Sequence, residues 1–206
     1  MKNNILFLAS IAALGGFLFG YDTAVISGTI GFVKAQFDLN TVTEGWYVSS
    51  ALTGTILGVA VAGVLSDWYG RKKILIISGI FFALSAIGCI FSASFNQLVI
   101  YRFVGGIGVG IASMLSPLYI SEIAPSKNRG KLVALYQLAI AVGVLMAYFV
   151  NTYLVSTAES GVFNNSSELV NRMYVSEVWR AMLGSETIPA LLFLLLLFTL
   201  PESPRW

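Results

Sequence analysis

The sequence predicts an all-α integral membrane protein whose six transmembrane helices form one bundle, and three observations predict this fold. Hydrophobic residues make up 57% of the 206 residues and charged residues only 11%, whereas soluble domains contain about 25% charged residues. Six stretches with few or no charges are long enough to cross the hydrocarbon core of a bilayer, which takes about 20 residues in a helix. The first and fourth stretches share a glycine-rich face, which indicates a 3+3 inverted repeat of two three-helix units.

The gaps between charged residues give the six spans in order. The first gap runs from Lys2 to Lys34 and contains one charge, Asp22. The last apolar run is too short by itself, so its span extends back to about Ala181, which places Glu186 inside the membrane. The predicted spans are residues 5–30, 46–66, 74–93, 99–120, 132–154 and 180–200, in one domain that covers residues 1–206. The apolar start continues past the length of a signal peptide, so we interpret it as a span.

The Lys and Arg residues predict the orientation of the spans, because short cytoplasmic loops carry an excess of them. With both termini in the cytoplasm, the inner segments carry eight basic residues and the outer loops carry three. The inner residues are Lys2, Arg71, Lys72, Lys73, Lys127, Arg129, Lys131 and Arg205, and the outer residues are Lys34, Arg172 and Arg180. We therefore expect a multi-pass protein of a plasma membrane such as the bacterial inner membrane, with the lipid bilayer around it and both termini cytoplasmic.

The composition excludes several classes of function. The chain has no His and one Cys, Cys89, so it lacks the residues for a zinc site, an iron–sulfur cluster, a disulfide framework or a nucleophile paired with His. The net charge is +2 and no basic block occurs, so we expect no nucleic acid partner. No predicted span carries clustered nucleophile and base candidates. We therefore expect no enzyme, no metal and no cofactor.

Glycine residues recur on one face of three spans. They are Gly15, Gly16 and Gly20 in the first span, Gly54 and Gly58 in the second, and Gly105, Gly106, Gly108 and Gly110 in the fourth. Small residues four apart let the backbones of neighbouring helices approach closely. The run in the fourth span lacks the phasing, the preceding strand and the acidic partner of a dinucleotide-binding loop. These glycines therefore predict helix packing rather than cofactor binding.

Three ionisable residues lie inside the predicted spans: Asp22, Arg102 and Glu186. A charge in a span costs about 2.5–3.5 kcal/mol even on lenient scales, so each is a candidate functional residue. At about 1.5 Å per residue they lie roughly 10, 6 and 9 Å below the outer face, respectively. An ionised Asp22 can pair with Arg102 and a protonated one releases it, so proton binding can bias the conformation of the bundle. The alternatives are a static buried pair, an Arg102 that snorkels to the interface, and a Glu186 that is only hydrogen-bonded near a kink.

Four motifs occur in order along the chain. They are Gly15–Asp22 (GGFLFGYD), Gly63–Lys73 (GVLSDWYGRKK), Pro117–Pro125 (PLYISEIAP) with Arg129–Lys131 (RGK), and Pro201–Trp206 (PESPRW). Together these motifs resemble the sugar porter family of the major facilitator superfamily, and the resemblance covers essentially the whole chain. Within that family, residues Tyr101–Lys131 are most similar to the bacterial D-xylose–proton symporters.

The resemblance implies a twelve-helix transporter made of two six-helix halves, with a sugar bound between the halves. This chain resembles the N-terminal half only, so we expect a truncated half whose partner is the missing C-terminal six-helix half. The implied function is proton-coupled symport of a monosaccharide, a pentose such as xylose or a hexose, by alternating access, with the proton as the coupling ion. The alternatives are a facilitated sugar uniporter and, in another class, a non-transporting sugar sensor or an inactive fragment.

The resemblance also implies roles for residues of the spans. Asp22 corresponds to the helix-1 Asp of the proton-coupled members, and Arg102 corresponds to its helix-4 partner. Gln137 corresponds to a helix-5 Gln that hydrogen-bonds sugar hydroxyls, and Phe19 to an aromatic residue that faces the sugar. An amide both donates and accepts hydrogen bonds, as a hydroxyl does, at what we expect to be a buried point of span 5. The alternatives are a Gln137 amide that bonds a neighbouring helix and a Phe19 that packs in the core or against lipid.

The loop motifs resemble the gate that closes the inner side of these transporters. The implied gate residues are Gly63, Asp67, Gly70, Arg71, Lys72, Glu122, Arg129, Glu202 and Arg205. Gly63 would allow close helix packing, and the charged members would pair with one another when the transporter faces outward. A simpler interpretation is that the basic residues only fix the topology, and both can hold. Trp68 departs from the family pattern, which has a basic residue at that position, so the gate charge is weaker here or an aromatic anchor takes its place.

Overall fold

The computed structural model describes residues 2–160 and 167–204. Its helices are α1 (Lys2–Phe37), α2 (Thr41–Tyr69), α3 (Arg71–Phe91), α4 (Phe95–Ile123), α5 (Arg129–Glu159), α6 (Glu168–Asn171), α7 (Val178–Ser185) and α8 (Thr187–Leu197), and a π-helical turn at Arg172–Ser176 joins α6 to α7. These ranges contain no β-strand. The all-α class that the composition predicts is thus confirmed.

Six helical segments are long and apolar enough to cross a membrane, with α7 and α8 counted together as Val178–Leu197. The helices are mostly longer than the predicted spans, but two predicted bounds reach beyond the helix. The third span was predicted to reach residue 93, but α3 ends at Phe91 because Ser92 adopts an extended backbone. The sixth span was predicted to reach residue 200, but α8 ends at Leu197, a few residues before Pro201, whose ring disfavours helix in the residue that precedes it.

Local signals explain how the chain turns between helices. Before α2, the side chain of Asn40 accepts hydrogen bonds from the backbone N–H groups of Val42 (3.0 Å) and Thr43 (2.9 Å), which otherwise have no partner at a helix start. Between α2 and α3, Gly70 has a φ of 97°, a backbone conformation that favours glycine. The chain therefore reverses within three residues at one end of α2 and within one residue at the other.

The bundle is built from two interlocking helix pairs. The most extensive packing is between α1 and α5 and between α2 and α4. One three-helix unit consists of α1, α2 and α3, and the other consists of α4, α5 and the α7–α8 segment. Exchanging the two units converts the first helix pair into the second, which is the relationship that an inverted repeat requires.

Glycines set the distance between the helices in both pairs. A Cβ atom at Gly20 of α1 would overlap the backbone carbonyl of Ile140 on α5. A Cβ atom at Gly106 of α4 would overlap the backbone carbonyl of Ala51 on α2. The glycine-rich faces of the first and fourth spans are therefore packing faces, as the sequence predicts, and they occupy equivalent places in the two units.

A proline in α4 ties this helix to α5. Pro117 lies inside α4, and because proline has no N–H, the carbonyl of Ser113 loses its helical partner. The hydroxyl of Tyr136 on α5 donates a hydrogen bond to this carbonyl at 3.5 Å. The contact fixes α5 one residue before Gln137.

Candidate functional site

An ion pair is buried between α1 and α4. Arg102 donates a hydrogen bond from Nη1 to Oδ1 of Asp22, 80 residues away in the sequence. Arg102 is 3% exposed and Asp22 is 7% exposed, so both charges are withdrawn from solvent. The structure brings together the two residues that the sequence singles out, and this geometry excludes an Arg102 that snorkels to the interface.

Two buried hydroxyl groups lie between the ion pair and the α1–α2 loop. The hydroxyls of Thr29 on α1 and Tyr47 on α2 are 2.6 Å apart, and both residues are fully buried. Thr29 follows Asp22 by seven residues, which places it about 10 Å further along the same face of α1. Sequence reasoning missed this pair. The only available signal was a Thr two helical turns after a candidate Asp.

A small cavity adjoins the ion pair, and Phe19, Asp22 and Arg102 contribute to its wall. Its volume is about 100 Å³, which is room for about three water molecules at roughly 30 Å³ each. Pockets that bind small molecules measure about 300–1,000 Å³. Water can therefore occupy the space beside the Asp22 carboxylate, and the cavity is smaller than a usual small-molecule site.

Glu186 lies where the sixth span is interrupted. The span breaks between Ser185, the last residue of α7, and Thr187, the first residue of α8. Pro189 contributes to the break because it cannot donate to the carbonyl of Ser185. The Ser185 hydroxyl lies 2.6 Å from the hydroxyl of Tyr21, so the break is held against α1, one residue before Asp22.

The Glu186 side chain is a third charged group near the ion pair. Glu186 is 4% exposed, and its Oε1 atom has no hydrogen-bond partner among the described residues. It interacts electrostatically with both Asp22 and Arg102. The three ionisable residues of the predicted spans are therefore electrostatically linked.

Gln137 is exposed on α5, which corrects the expectation of a buried point. Its neighbour Tyr136 faces the core and is 7% exposed, and because successive helix residues point about 100° apart, the Gln137 side chain is turned outward. The described part of the chain contains no hydrogen bond from its amide. Gln137 is therefore free to meet a ligand or another protein surface on the open face of the bundle.

Arg71 connects three helices at the opposite end of the bundle. Its Nη1 atom donates to Asp67 Oδ1 (2.6 Å) at the end of α2, and its Nε atom donates to Glu122 Oε1 (3.3 Å) at the end of α4. The Asp67 side chain is 66% exposed, so this pair contributes little to stability. The Glu122 side chain is only 7% exposed, so the second pair is the more strongly shielded from water.

Glu202 joins the same cluster from the segment after α8. Its Oε1 atom accepts a hydrogen bond from the backbone N–H of Lys72 at 2.9 Å. A Cβ atom at Gly70 would lie 2.7 Å from the Glu202 carboxylate, so a side chain there would push the end of Glu202 away, in addition to the strain of a positive φ. The hydroxyl of Ser203 donates to Glu122 Oε2 at 2.5 Å. The sequence-predicted gate residues Gly70, Lys72, Glu122 and Glu202 thus lie together.

The remaining predicted gate residues behave differently. A Cβ atom at Gly63 would meet only the flexible end of Met114, at 3.1 Å. Arg129 was expected to pair with this cluster, but its Nε atom, at the first residue of α5, is buried without a hydrogen-bond partner among the residues that the structure describes. Arg205 lies outside the described residues. Trp68, which stands where the resemblance implies a basic residue, is 71% exposed.

Arg180 is a residue whose role sequence reasoning missed. It was predicted to be an outer-loop charge, but it is 4% exposed. Its Nη1 atom donates to the carbonyls of Ile90 and Ser92, both at 2.7 Å, at the end of α3. Its Nε atom donates to Glu177. The acid three residues before Arg180 was the available signal, because such pairs meet on a helix surface.

The carboxylate of Glu177 lies between two guanidinium groups. It accepts hydrogen bonds from Arg180 and from Arg172, the latter at 3.1 Å. Burial raises the pKa of Glu177, but the hydrogen bonds and charges of Arg180 and Arg172 outweigh burial and hold the pKa below the ordinary value of 4.5. Glu177 is thus kept ionised next to the buried Arg180 guanidinium, which donates to the carbonyls at the C-terminal end of α3.

Comparison with known proteins gives consistent matches over the whole chain. Residues 8–206 match the family described as "Sugar (and other) transporter". The arabinose–proton symporter of Bacillus subtilis is 42% identical over 98% of this chain and 41% of its own length. The D-xylose–proton symporter of Escherichia coli K12 is 42% identical over 95% of this chain and 43% of its own length. The chain therefore spans about two-fifths of the length of these curated relatives.

The fold also matches solved structures, and this chain again covers only part of the matched chain. The inward-open xylose transporter of E. coli matches with a TM-score of 0.84 and 43% identity, over 98% of this chain and 49% of that chain. The predicted six-helix half of a major facilitator transporter is thus confirmed, and the chain is a multi-pass membrane protein. The family match covers far more than half of the residues, so the chain belongs to the sugar transporter family.

Proposed function

We propose that this chain is one half of a proton-coupled monosaccharide symporter that works by alternating access. The observation that carries the proposal is the buried Asp22–Arg102 ion pair, which lies beside a cavity large enough for water. A buried pair of this kind has two charge states that differ by one proton. The names of its relatives, which include arabinose–proton and D-xylose–proton symporters, support a pentose or a hexose as the sugar.

In the proposed cycle, Asp22 exchanges one proton with water in the adjacent cavity. Ionised Asp22 holds the guanidinium of Arg102, and protonated Asp22 is neutral and releases it. The freed Arg102 charge then interacts with Glu186, the other acid within its electrostatic range. Helices α1 and α4 and the sixth span therefore have two charge arrangements, and proton uptake shifts the population from one to the other.

The sugar binds against the open face of α5 in this cycle. The exposed Gln137 amide offers a donor and an acceptor to sugar hydroxyls. Phe19, at the wall of the small cavity, links the sugar position to Asp22 through an apolar contact with the sugar ring. The second six-helix half provides the opposite wall, and protonation, sugar binding and rocking of the two halves follow in sequence. The proton is the coupling ion, and no other cofactor takes part.

The cluster around Arg71 forms the inner gate. Its contacts to Asp67 and Glu122 hold the start of α3 to the ends of α2 and α4. Glu202 holds the end of the sixth span to the backbone of Lys72. When these contacts break, the inner end can open. The excess of basic residues at this end supports a cytoplasmic location for the gate and for both termini in a bacterial inner membrane.

The proposal is tested by uptake of radiolabelled D-xylose into cells that lack their own xylose transporters. One strain expresses this chain alone, and a second expresses the chain joined to the remaining helices of the E. coli D-xylose–proton symporter. We expect the joined protein to concentrate D-xylose inside the cell and a protonophore to abolish the accumulation. The matched control is Lys34→Gln, which removes a charge of the exposed Lys34–Glu44 pair and should leave uptake unchanged.

Each other outcome contradicts part of the proposal. Equilibration of D-xylose without accumulation would indicate a uniporter. A folded joined protein at the membrane that takes up no sugar would favour a non-transporting sensor. Accumulation by the chain alone would contradict the need for a second half.

A further inference from the structure

A surface groove runs along the contact of α1 with α5 near the end of α5, well away from Gln137. Its volume is about 400 Å³, which lies within the usual range for small-molecule sites, about 300–1,000 Å³. The polar residues that line this α1–α5 groove are Ser27, Tyr148, Asn151, Thr152, Ser156 and Glu159. These polar side chains lie in a lining that is otherwise apolar, which is the usual composition of a small-molecule site.

The hydroxyl groups of the groove are arranged as hydrogen-bond acceptors. Three of them donate their protons to backbone carbonyls of their own helices, namely those of Ser27 (2.7 Å), Thr152 (2.9 Å) and Ser156 (3.0 Å). Each hydroxyl oxygen keeps lone pairs that can accept a hydrogen bond. A ligand that donates hydrogen bonds therefore fits this lining better than one that only accepts them.

Asn151 adds a buried acceptor without a partner. Its Nδ2 atom donates to the carbonyl of Val25 on α1 at 3.1 Å. The residue is 5% exposed, and its Oδ1 atom has no hydrogen-bond partner among the described residues. An unsatisfied buried acceptor is unfavourable, and an O–H donor in the groove gains a hydrogen bond to it once the Asn151 side chain turns this buried oxygen towards the groove.

The charge of the groove selects against anions. Glu159 is the one ionisable carboxylate among the lining residues, and no Lys or Arg is among them. Acceptor oxygens together with a single negative charge favour a neutral molecule that carries several hydroxyl groups. A carboxylate or phosphate ligand would meet repulsion and would find no cationic partner.

The groove and Gln137 share one face of α5. Asn151 follows Gln137 by 14 residues, which corresponds to about 21 Å along the helix and a rotation within about 40° of the same direction. Asn151 is buried against α1, so it lies at the edge of the face of α5 on which Gln137 is exposed.

We propose that the α1–α5 groove is a second, outer subsite for a neutral polyhydroxyl ligand, a monosaccharide, on its way to Gln137. This inference rests on the proposed transport function and adds a place where the sugar pauses before it reaches the ion pair. Ser27, Asn151, Thr152 and Ser156 accept hydrogen bonds from its hydroxyls.

The proposal is tested by cysteine protection in the full chain reconstituted in lipid nanodiscs. Cys89 is the one cysteine of the chain and is 2% exposed, so Thr152→Cys introduces a single accessible thiol. The rate of its alkylation by a small maleimide is measured with D-xylose, with D-xylonate as the matched anion, and without either. The control is Tyr153→Cys, because Tyr153 is the adjacent residue, is 68% exposed and lies outside the groove.

We expect D-xylose to slow labelling of Thr152→Cys about fourfold at three times its dissociation constant, because the free fraction is 1/(1 + [L]/Kd). D-xylonate should protect weakly, and Tyr153→Cys should be labelled at one rate throughout. Adding Ser156→Ala, which removes an acceptor at an exposed position, should raise the D-xylose concentration needed for the same protection.

Three results would overturn the proposal: no protection of Thr152→Cys at any D-xylose concentration, equal protection by D-xylonate, or equal protection of Tyr153→Cys. The outcome is separable from that of the transport proposal. Sugar uptake by the joined protein together with an unprotected Thr152→Cys overturns the groove alone. Protection without uptake overturns transport and leaves the binding site.

Discussion

Asp22 and Arg102 join the first helices of the two three-helix units in a single buried ion pair. Because α1 and α4 occupy equivalent places in the inverted repeat, a change of charge at this pair acts on both units at once. The adjacent cavity of about 100 Å³ gives water a route to the carboxylate. These features place the pair where a change of charge reaches both units.

Removing one partner of this pair should be worse than removing both charges. Arg102→Leu leaves a buried carboxylate without its partner, and such changes typically cost about 3–5 kcal/mol. The double variant Asp22→Asn, Arg102→Leu leaves no charge and should recover more than half of the loss. Thermal unfolding of the purified chain in detergent measures both. A double variant that is no more stable than Arg102→Leu would contradict the pairing.

Substitution by alanine should destabilise the chain at Gly20 of α1 but not at Gly31 of the same helix. A Cβ atom at Gly20 overlaps the carbonyl of Ile140, whereas a Cβ atom at Gly31 meets nothing within 4 Å. We therefore expect Gly20→Ala to lower the melting temperature of the chain. Gly31→Ala should leave it unchanged or raise it, because Ala is favoured over Gly in helices by about 0.8–1 kcal/mol. Equal effects at the two positions would show that α1 does not pack closely on α5.

The hydroxyls of Thr29 and Tyr47 should stabilise the fold jointly. Thr29→Val leaves the Tyr47 hydroxyl without its partner at a fully buried position, whereas after Tyr47→Phe the Thr29 hydroxyl still donates to the carbonyl of Ile26. A double-mutant cycle on the free energy of unfolding should give a coupling of about 0.5–1.5 kcal/mol, the usual net value of such a hydrogen bond. Additive effects of the two substitutions would mean that the hydroxyls do not stabilise the α1–α2 contact.

The stabilising effect of Glu177 should depend on pH. The pKa of Glu177 is lowered in the folded chain, so its contribution is fully present above the ordinary pKa of 4.5 and is lost as the pH falls through the lower folded value. The melting temperature of Glu177→Gln should therefore lie further below that of the unsubstituted chain at pH 7 than at pH 3. A pH-independent difference would contradict the role of Arg172 and Arg180 in holding the carboxylate ionised.

The fold was largely predictable from the sequence because its strongest signals are local. Spans follow from charge-free stretches, and the glycine faces around Gly20 and Gly106 indicate close packing without any knowledge of the partner helix. The partners themselves, Ile140 and Ala51, were not predictable, because they are fixed by how the two units interlock.

The candidate site was predictable only in part for the same reason. Asp22 and Arg102 stand out because a charge in a span needs a partner. The outward direction of Gln137 depends on the rotation of α5, which is set by Gly143 and Tyr136 against α1 and α4. The acid at Glu177 indicates a partner for Arg180, but the carbonyls of Ile90 and Ser92 that bury it lie at the end of α3 and were not predictable from the residues around Arg180.

The most direct measurement of proton coupling at Asp22 is D-xylose accumulation by the Asp22→Asn variant of the chain joined to the second half of the E. coli symporter. Asn keeps the size of the side chain but cannot exchange a proton. We predict that the variant still exchanges D-xylose across the membrane but no longer concentrates it, and that its uptake becomes insensitive to a protonophore. A variant that concentrates D-xylose as well as the unsubstituted protein, with the same sensitivity to the protonophore, would contradict a coupling role for Asp22.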